Sequence, residues 1–300
     1  MTRRTLLSLL GAAVPAETRI LFGGDVMLCR YIGHIAPFRD LGSFLRRADI
    51  AFVNLESPFS DLGKPVEDGM VFKAEPRMVE ELKAAGIDIV STANNHARDR
   101  GSYGIGFTLR WLAQNGIASV GTGETGALAR QGTVLVRNGV RFGFLAYAQD
   151  PNNGNYQDRE ERICDMDVAG MRQDIEALRT RADVISVSMH AGVEYWPKVH
   201  DIQKKFARAA IEAGAQVVVG HHPHVVQPWE RYRGGVIFYS LGNLVFDQFE
   251  RKETQEGLLA EIRFSGKEIA GVNAIPIEIL KGVPRLKTPP PDSGANPSRL

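Results

Sequence analysis

The chain has 300 residues, of which 44% are hydrophobic and 24% charged, enough to bury one large core. Its 36 basic and 35 acidic residues leave a formal charge of +1, so no global field is available to hold nucleic acid, and we expect no nucleic-acid partner. The two cysteines, Cys29 and Cys164, form no CxxC pair and support neither a zinc knuckle nor a disulfide framework.

The N-terminal residues have the pattern of an export leader. Arg3 and Arg4 precede a short apolar run that ends in small residues at Ala16. The apolar run is only about ten residues long, whereas a bilayer span needs roughly 20. The sequence therefore predicts a leader over residues 1–17 and an exported or envelope-associated protein. The alternative is a disordered or helical stub on a cytoplasmic protein.

Between residue 18 and about residue 285, short apolar runs alternate with helical patterns, which favours one layered α/β domain. The predicted strands are Arg19–Phe22, Ile50–Val53, Ile87–Ser91, Ile117–Val120, Arg141–Ala146, Val184–Met189, Val217–Val219 and Val236–Tyr239. The predicted helices cover Pro76–Ala85, Gly104–Asn115, Val168–Arg181 and Asp201–Ala213. Residues 286–300 are rich in proline and small polar residues, which predicts a disordered tail.

Polar clusters follow five of the predicted strands. They are Gly23-Gly24-Asp25, Asn54-Leu55-Glu56, Asn94-Asn95-His96, His190 and His221–His224. The two glycines before Asp25 suggest a sharp turn at that point. Strand ends feeding loops are where α/β sheets place ligands, because the sheet fixes the origin of each loop. We therefore expect the five clusters to converge in one cleft.

The residue types in these clusters are those of a metal site. His221–His224 present three imidazoles within four residues, and His190 adds another nitrogen donor. Asp25 and Glu56 supply carboxylates, and Asn95 supplies an amide oxygen. Such a mixed set suits Mn, Fe or Zn. Taken singly, each residue also has an ordinary role open to it in a turn, a cap or a solvated loop.

Six motifs, in order along residues 19–250, resemble the CapA family of poly-γ-glutamate capsule proteins. They are Gly24-Asp25-Val26-Met27, Asn54-Leu55-Glu56, Asn94-Asn95-His96-Ala97-Arg98-Asp99-Arg100-Gly101, His190-Ala191-Gly192-Val193-Glu194-Tyr195, Gly220–Pro228 and Ser240–Gln248. That family is related to the calcineurin-like metallophosphoesterases. The resemblance thus implies an α/β fold of that kind, a two-sheet β-sandwich flanked by helices, with the site at one end of the sheets.

The resemblance also implies a role for each candidate ligand. One metal site would comprise Asn95, His190 and His222 together with Glu56. The other would comprise Asp25, Glu56 and His224, with Glu56 shared. At this second site Met27 stands where the related enzymes have a ligand histidine, so the ligand set is depleted. We therefore expect a divalent ion, Mn, Fe or Zn, in one or two copies.

The catalytic residues implied by the resemblance are His96, Asp25 and Glu194. His96 would act as a general acid or stabilise the transferring group. Glu194 and Asp99 would orient imidazoles. A second departure from the related enzymes is Ala97, which follows His96 where they carry aspartate.

These residues leave several functions open. The leading hypothesis is a metal-dependent hydrolase or transferase acting on a phosphoester or on a glutamyl-amide polymer. A metal-independent peptide epimerase is a further enzymatic alternative, since the same Asp, His and Glu groups can shuttle protons. The non-enzymatic alternative is a component that binds the polymer or docks on membrane subunits of a capsule synthase.

Overall fold

The computed structural model describes residues 16–62, 70–149 and 162–287. Its strands, in chain order, are β1 Glu17–Val26, β2 Ile50–Leu55, β3 Ile89–Ser91, β4 Ala118–Val120, β5 Thr133–Arg137, β6 Val140–Ala148, β7 Val184–His190, β8 Val217–His221, β9 Trp229–Tyr232, β10 Gly235–Phe238, β11 Asn243–Val245, β12 Glu256–Ser265, β13 Glu268–Leu280 and β14 Val283–Leu286. Its α-helices are α1 Gly42–Leu45, α2 Val79–Ala85, α3 Gly101–Gln114, α4 Gly126–Arg130, α5 Val168–Arg179 and α6 Asp201–Ala213.

The strands form two sheets. The first has the order β14-β13-β12-β1-β2-β3-β4, and β11 pairs with β1 outside this path. The second has the order β5-β6-β7-β8-β10-β9. In each sheet the central strands are parallel, with β1 beside β2 in one and β7 beside β8 in the other. The carboxyl ends of neighbouring parallel strands lie at the same edge, which is where α/β sheets bind ligands.

The two sheets pack face to face, and helices cover their outer faces. Along β1, Ile20 and Phe22 enter the apolar layer between the sheets, whereas Leu21 faces the helices on the other side. On the second sheet, Phe144 lies between the sheets and Tyr147 packs against α6. The resulting helix–sheet–sheet–helix layering confirms the predicted two-sheet α/β sandwich.

The helices predicted from apolar periodicity are present. Helix α6 has the predicted bounds and ends at Gly214 in the left-handed conformation, with φ of 113°. The region Pro76–Ala85 begins with a 3₁₀ turn and continues as α2, and α3 begins at Gly101, three residues before its predicted start. None of the helices in the described ranges has both the length and the apolar sequence needed to cross a membrane.

Six of the observed strands, β5, β9 and β11–β14, are absent from the prediction. Strand β13 contains Pro276, which lacks an N–H and argues against a strand in a sequence. The strand forms nonetheless, with Pro276 opposite Leu258 of β12. Strand β14 runs to Leu286, one residue into the predicted tail. Apart from Leu286, Lys287, Ala16 and Glu17, the predicted tail and leader lie outside the described residues and stay predictions.

The turn predicted at Gly23-Gly24 is wrong, because β1 continues through both glycines to Val26. A Cβ on Gly24 would lie 1.9 Å from the carbonyl oxygen of Gly242, so only glycine permits the close approach of the chain just before β11. The N–H of Asp25 donates to that same carbonyl at 3.0 Å, and Asn243 is the register partner of Asp25. The glycine serves strand packing, and Asp25 projects from a strand.

Candidate metal centre

The predicted ligands converge at the carboxyl ends of the parallel strands. Asp25 lies in β1, Glu56 follows β2 directly, and His190 ends β7. Ligand atoms of these three buried side chains all lie within 4.8 Å of one another. Zinc ligands lie roughly 2.0–2.3 Å from the ion, so two of them can be up to about 4.6 Å apart. Small side-chain shifts would therefore let all three reach one ion.

Asn95, His190 and His222 meet on one side of the cluster, which we call the imidazole side. The Nε2 atom of His190 lies 2.8 Å from Oδ1 of Asn95 and 3.2 Å from Nδ1 of His222. These side chains come from the loop after β3, the end of β7 and the loop after β8. Three neutral donor groups thus point at one another, which is the arrangement expected for ligands of a shared ion.

Asp25, Glu56 and His224 form the other side, which we call the carboxylate side. The Nδ1 atom of His224 is 3.4 Å from Oδ2 of Asp25, and its Nε2 is 3.6 Å from Oε1 of Glu56. The backbone N–H of His222 donates to Oδ2 of Asp25 at 3.1 Å. This contact joins the two sides, so all six predicted ligands belong to one connected cluster.

Glu56 is the residue whose surroundings most clearly call for a cation. Its side chain is fully buried, and neither carboxylate oxygen accepts a hydrogen bond from any residue in the described part of the chain. Burying a charged carboxylate without donors is expensive unless a positive charge compensates it. The oxygen and nitrogen donors around it suit Mn, Fe or Zn. The residues present therefore fit a divalent ion.

The two buried carboxylates have opposite electrostatic environments. Burial opposes ionisation of Asp25, but the adjacent imidazoles of His221 and His224 outweigh it and hold the pKa of Asp25 well below its usual value. Burial raises the pKa of Glu56 well above its usual value, and the partial compensation by His224 is too small to reverse this. In the metal-free protein, the surroundings thus favour the ionised form of Asp25 and the protonated form of Glu56.

The pKa values of the imidazoles also differ between the two sides. Burial and the charge of His222 hold the pKa of His190 well below its usual value. Burial and the charge of His224 lower the pKa of His222 to about 4. For His224, burial is outweighed by the carboxylates of Glu56 and Asp25, which raise its pKa to about 9. The imidazole side is therefore neutral and ready for a metal, whereas His224 holds a proton that a metal must displace.

A chain of buried amides, to which the sequence pattern assigns no ligand role, orients the cluster. Asn94 accepts the N–H of His96 on its Oδ1 at 3.1 Å, so its amide N–H groups face Leu55 and Asn54. Asn54 in turn donates to Oδ1 of Asp25 at 2.8 Å. A buried asparagine inside an apolar strand such as β2 was the available signal, because such a group needs hydrogen-bond partners.

His96 lies next to Asn95 but has partners of its own. Its Nδ1 is 2.8 Å from Oδ2 of Asp99, which also accepts the N–H of Phe72 at 2.6 Å. The Phe72 ring stacks on the imidazole at a centroid distance of 4.1 Å. Asp99 therefore orients His96 as expected, and the ring is held by a carboxylate on one edge and an aromatic face.

Glu194 lies at the rim of the site. It is exposed and lines a cavity of about 390 Å³ next to the imidazole side. Gln149, Gly192 and Val193 complete the lining together with Asn95, His190 and His222. The negative charge of Glu194 raises the pKa of His222, which partly opposes the effect of burial. The predicted catalytic role of Glu194 stays a prediction.

Met27 does not project into the cluster. It is fully buried in the apolar layer between the first sheet and its helices, and its sulfur lies 3.0 Å from Sγ of Cys29. The position at which the resemblance implies a ligand histidine in related enzymes is therefore turned into the core.

Two of the clustered histidines have strained backbones. His222 has φ of 95° and His224 has φ of 58°, values that residues other than glycine rarely adopt. Such conformations cost of order 1–3 kcal/mol each, persist only where the surrounding structure enforces them, and cluster at functional sites. His221, the last residue of β8, is fully buried, and its Nδ1 is 3.4 Å from Oδ1 of Asp25.

Solved structures with the same fold include phosphatases and nucleotidases. A hypothetical protein from Thermus thermophilus aligns with a TM-score of 0.59 at 17% identity, covering 88% of this chain and 100% of that chain. A novel phosphatase from Mycoplasma pneumoniae aligns with a TM-score of 0.56 at 13% identity, covering 88% and 94%. A 5'-nucleotidase precursor from Thermus thermophilus gives 0.54 at 12% identity, covering 90% and 54%. The fold is that of the metallophosphoesterases.

Relatives in sequence are capsule proteins. The capsule biosynthesis protein CapA of Bacillus anthracis is 29% identical over 281 residues, covering 88% of this chain and 68% of that protein. The PGA biosynthesis protein CapA of Bacillus subtilis is 30% identical over 274 residues, covering 88% and 72%. Residues 19–248, which include every ligand of the cluster, match the model of one family. The chain belongs to the bacterial capsule synthesis protein family PGA_cap.

Proposed function

We propose that this protein acts in capsule or poly-γ-glutamate synthesis as a metal-dependent hydrolase or transferase. Its relatives are named for capsule and PGA biosynthesis, and its fold occurs in phosphatases and nucleotidases. The observation that carries the proposal is the buried carboxylate of Glu56, which lacks hydrogen-bond donors in the described chain and lies among imidazole and carboxylate ligands. A purely structural carboxylate would be paired.

The ligands proposed for the first ion are Asn95, His190 and His222, together with Glu56. These residues would hold a divalent ion, which would supply Lewis-acid chemistry beside the cavity. Asp25 keeps a negative charge beside these ligands and holds the loop after β8 through the N–H of His222. Mn, Fe and Zn all suit this donor set.

His96 is the proposed general acid. Asp99 occupies its Nδ1, which leaves Nε2 to donate a proton to a leaving group. The cavity of about 390 Å³ beside the imidazole side is the proposed substrate site, and Glu194 at its rim stays a candidate for substrate contact. The substrate is a phosphoester or a glutamyl amide, and the proposed setting is the cell envelope, near capsule-synthase subunits in the membrane.

A second candidate is a non-catalytic polymer-binding or assembly component. The position of Met27 favours it, because the carboxylate side lacks the ligand histidine that related enzymes place there. A protein with one incomplete metal site has lost part of the machinery of a two-ion hydrolase.

The contrast between His96→Ala and His222→Ala tests the proposal. Removing a general acid should lower turnover on phosphoester or glutamyl substrates about 10²–10⁴-fold and leave metal content unchanged. Removing a ligand should lower metal content and activity together. His34→Ala is the matched control, since His34 is exposed and outside the cluster.

Each outcome has a distinct meaning. If neither variant changes activity relative to the parent, the activity is not due to this site, and the binding component becomes the better account. If both variants lose metal equally, His96 is a ligand and its assignment as the general acid is wrong. A parent that stays metal-free after addition of Mn or Zn contradicts the metal-dependent function itself.

A further inference from the structure

A buried amide outside the predicted ligand set contacts the imidazole of His224. Asn243 begins β11 and is fully buried. Its register partner in β1 is Asp25, so the same ladder that positions the carboxylate also positions this amide. Its Oδ1 lies 3.0 Å from Nδ1 of His224.

The orientation of this amide follows from its other partners. Its Nδ2 lies 2.9 Å from the carbonyl oxygen of Thr254 and 3.1 Å from Oε1 of Gln248. A backbone carbonyl can only accept, so the NH₂ group of Asn243 must face it. The oxygen of Asn243 then faces His224 and can only accept, which requires a proton on Nδ1 of His224.

The consequence concerns the other ring nitrogen. With Nδ1–H engaged, Nε2 of His224 is the atom directed toward Oε1 of Glu56, at 3.6 Å. In the neutral ring both atoms carry lone pairs that repel each other, so either a proton or a metal ion must lie between them. The tautomer set by Asn243 is thus the one that presents a metal-ligating nitrogen to the cluster.

We infer that Asn243, held by Gln248 and the Thr254 carbonyl, is a positioning residue that fixes His224 as a metal ligand through Nε2. This inference rests on the proposed metal function, because it assigns Nε2 of His224 the role of a ligand. The hydrogen bond between Asn243 and His224 is present without metal. Gln248 also donates to the hydroxyl of Tyr195 at 3.2 Å, which links the amide to the rim of the site.

The test uses the full-length protein labelled with ¹⁵N, with Mn²⁺ alone as the metal probe. Asn243→Ala should weaken Mn²⁺ binding, measured by equilibrium dialysis, about 10–100-fold, the usual effect of removing such a partner. In the metal-free protein it should also accelerate exchange of the Nδ1–H resonance of His224, which is assigned by its loss in His224→Gln. Of its two acceptors in the described part of the chain, that proton then keeps only the longer contact, with Oδ2 of Asp25 at 3.4 Å. Tyr195→Phe should leave both readouts at the parent level.

Because Asn243 is buried, its replacement by alanine can impair folding. A substitution at Gln248 provides a second test that does not depend on how Asn243→Ala folds. Gln248→Ala removes one of the two acceptors that hold the amide, so Mn²⁺ binding should weaken about threefold and Nδ1–H exchange should accelerate. Gln248→Glu keeps the acceptor oxygen and should behave as the parent.

Two results overturn the inference: a folded Asn243→Ala with parent affinity and an unchanged Nδ1–H resonance, or a Gln248→Ala that matches the parent in both. If the parent binds no Mn²⁺, the proposed function fails, and the resonance in the metal-free protein alone decides the inference.

Discussion

The imidazole side and the carboxylate side of the cluster bring similar donor atoms together under opposite electrostatic conditions. On the imidazole side, burial keeps the rings of His190 and His222 neutral, and Asn95 adds no charge. On the carboxylate side, burial opposes protonation of His224, but the adjacent carboxylates of Glu56 and Asp25 outweigh it and raise the pKa of His224, so that ring holds a proton. The two histidines of the imidazole side are therefore neutral near neutral pH, whereas His224 on the carboxylate side holds a proton.

From this difference we expect the imidazole side to bind an ion more readily than the carboxylate side. Metal ligands must be deprotonated, so an ion that enters the imidazole side displaces no proton from its two histidines near neutral pH. An ion on the carboxylate side must displace the proton of His224, and Met27 is turned into the core and provides no ligand there. Glu56 belongs to both sides, since it lies close to His190 as well as to His224.

The largest effect is expected from Glu56→Gln, which removes the charge common to both sides while keeping the shape of the side chain. Mn²⁺ affinity should fall by about 100-fold or more, beyond the loss of an outer-shell partner, because a ligand is lost. The metal-free protein should remain as stable as the parent, since a buried carboxylate without donors is replaced by a neutral amide. Titration with Mn²⁺ and thermal unfolding measure the two effects.

Glu194→Gln is the matched control for that experiment, because it makes the same change at an exposed carboxylate on the cavity rim. It should leave metal affinity near that of the parent. If Glu56→Gln binds Mn²⁺ as tightly as Glu194→Gln does, Glu56 is not a ligand, and the division into two sides that share it is wrong.

A smaller effect is expected from Met27→His, which tests whether a histidine at position 27 adds a metal ligand to the carboxylate side. Met27 is packed in the core beside Cys29, so an imidazole there would be buried without a partner and should lower the free energy of unfolding by about 1–3 kcal/mol. The number of bound ions should not change. Met27→Leu, the apolar control, should cost less than about 1.5 kcal/mol. A rise toward two ions would show that position 27 can face the cluster.

The smallest effect is the pH dependence of the metal-free protein, in which the two sides should act with opposite sign. The pKa of His224 is raised to about 9, so its stabilisation is fully present below the unfolded value of 6.5 and is lost as the pH rises toward 9. The pKa of His222 is lowered to about 4, so the unfolded chain takes up that proton first and stability is lost as the pH falls from 6.5.

Urea unfolding between about pH 5 and pH 9 measures both slopes. His224→Gln should flatten the alkaline slope and leave the acid slope in place, whereas His222→Gln should do the reverse. Equal effects of the two variants on both slopes would mean that His222 and His224 titrate as one unit. The electrostatic difference between the two sides would then be contradicted.

Local pattern was enough to identify much of the fold. The bounds of α6 and the existence of α2, α3 and α5 follow from apolar periodicity, which the helices keep because each packs one face on a sheet. The apolar runs of the central parallel strands were equally visible. The added strands β12–β14 were not, because β13 is half exposed, contains Pro276 and forms through pairing with its neighbours.

For the site, the sequence by itself determined the ligand types, their order along the chain and their positions near strand ends. Only the tertiary structure decided that Asp25 projects from a strand held close to Gly242, that Met27 turns into the core, and that Asn243 orients His224. The reason is physical. Ring tautomers, buried charges and close backbone approaches depend on partners distant in sequence, as Asp25 and His222 are 197 positions apart. No local pattern encodes such a contact.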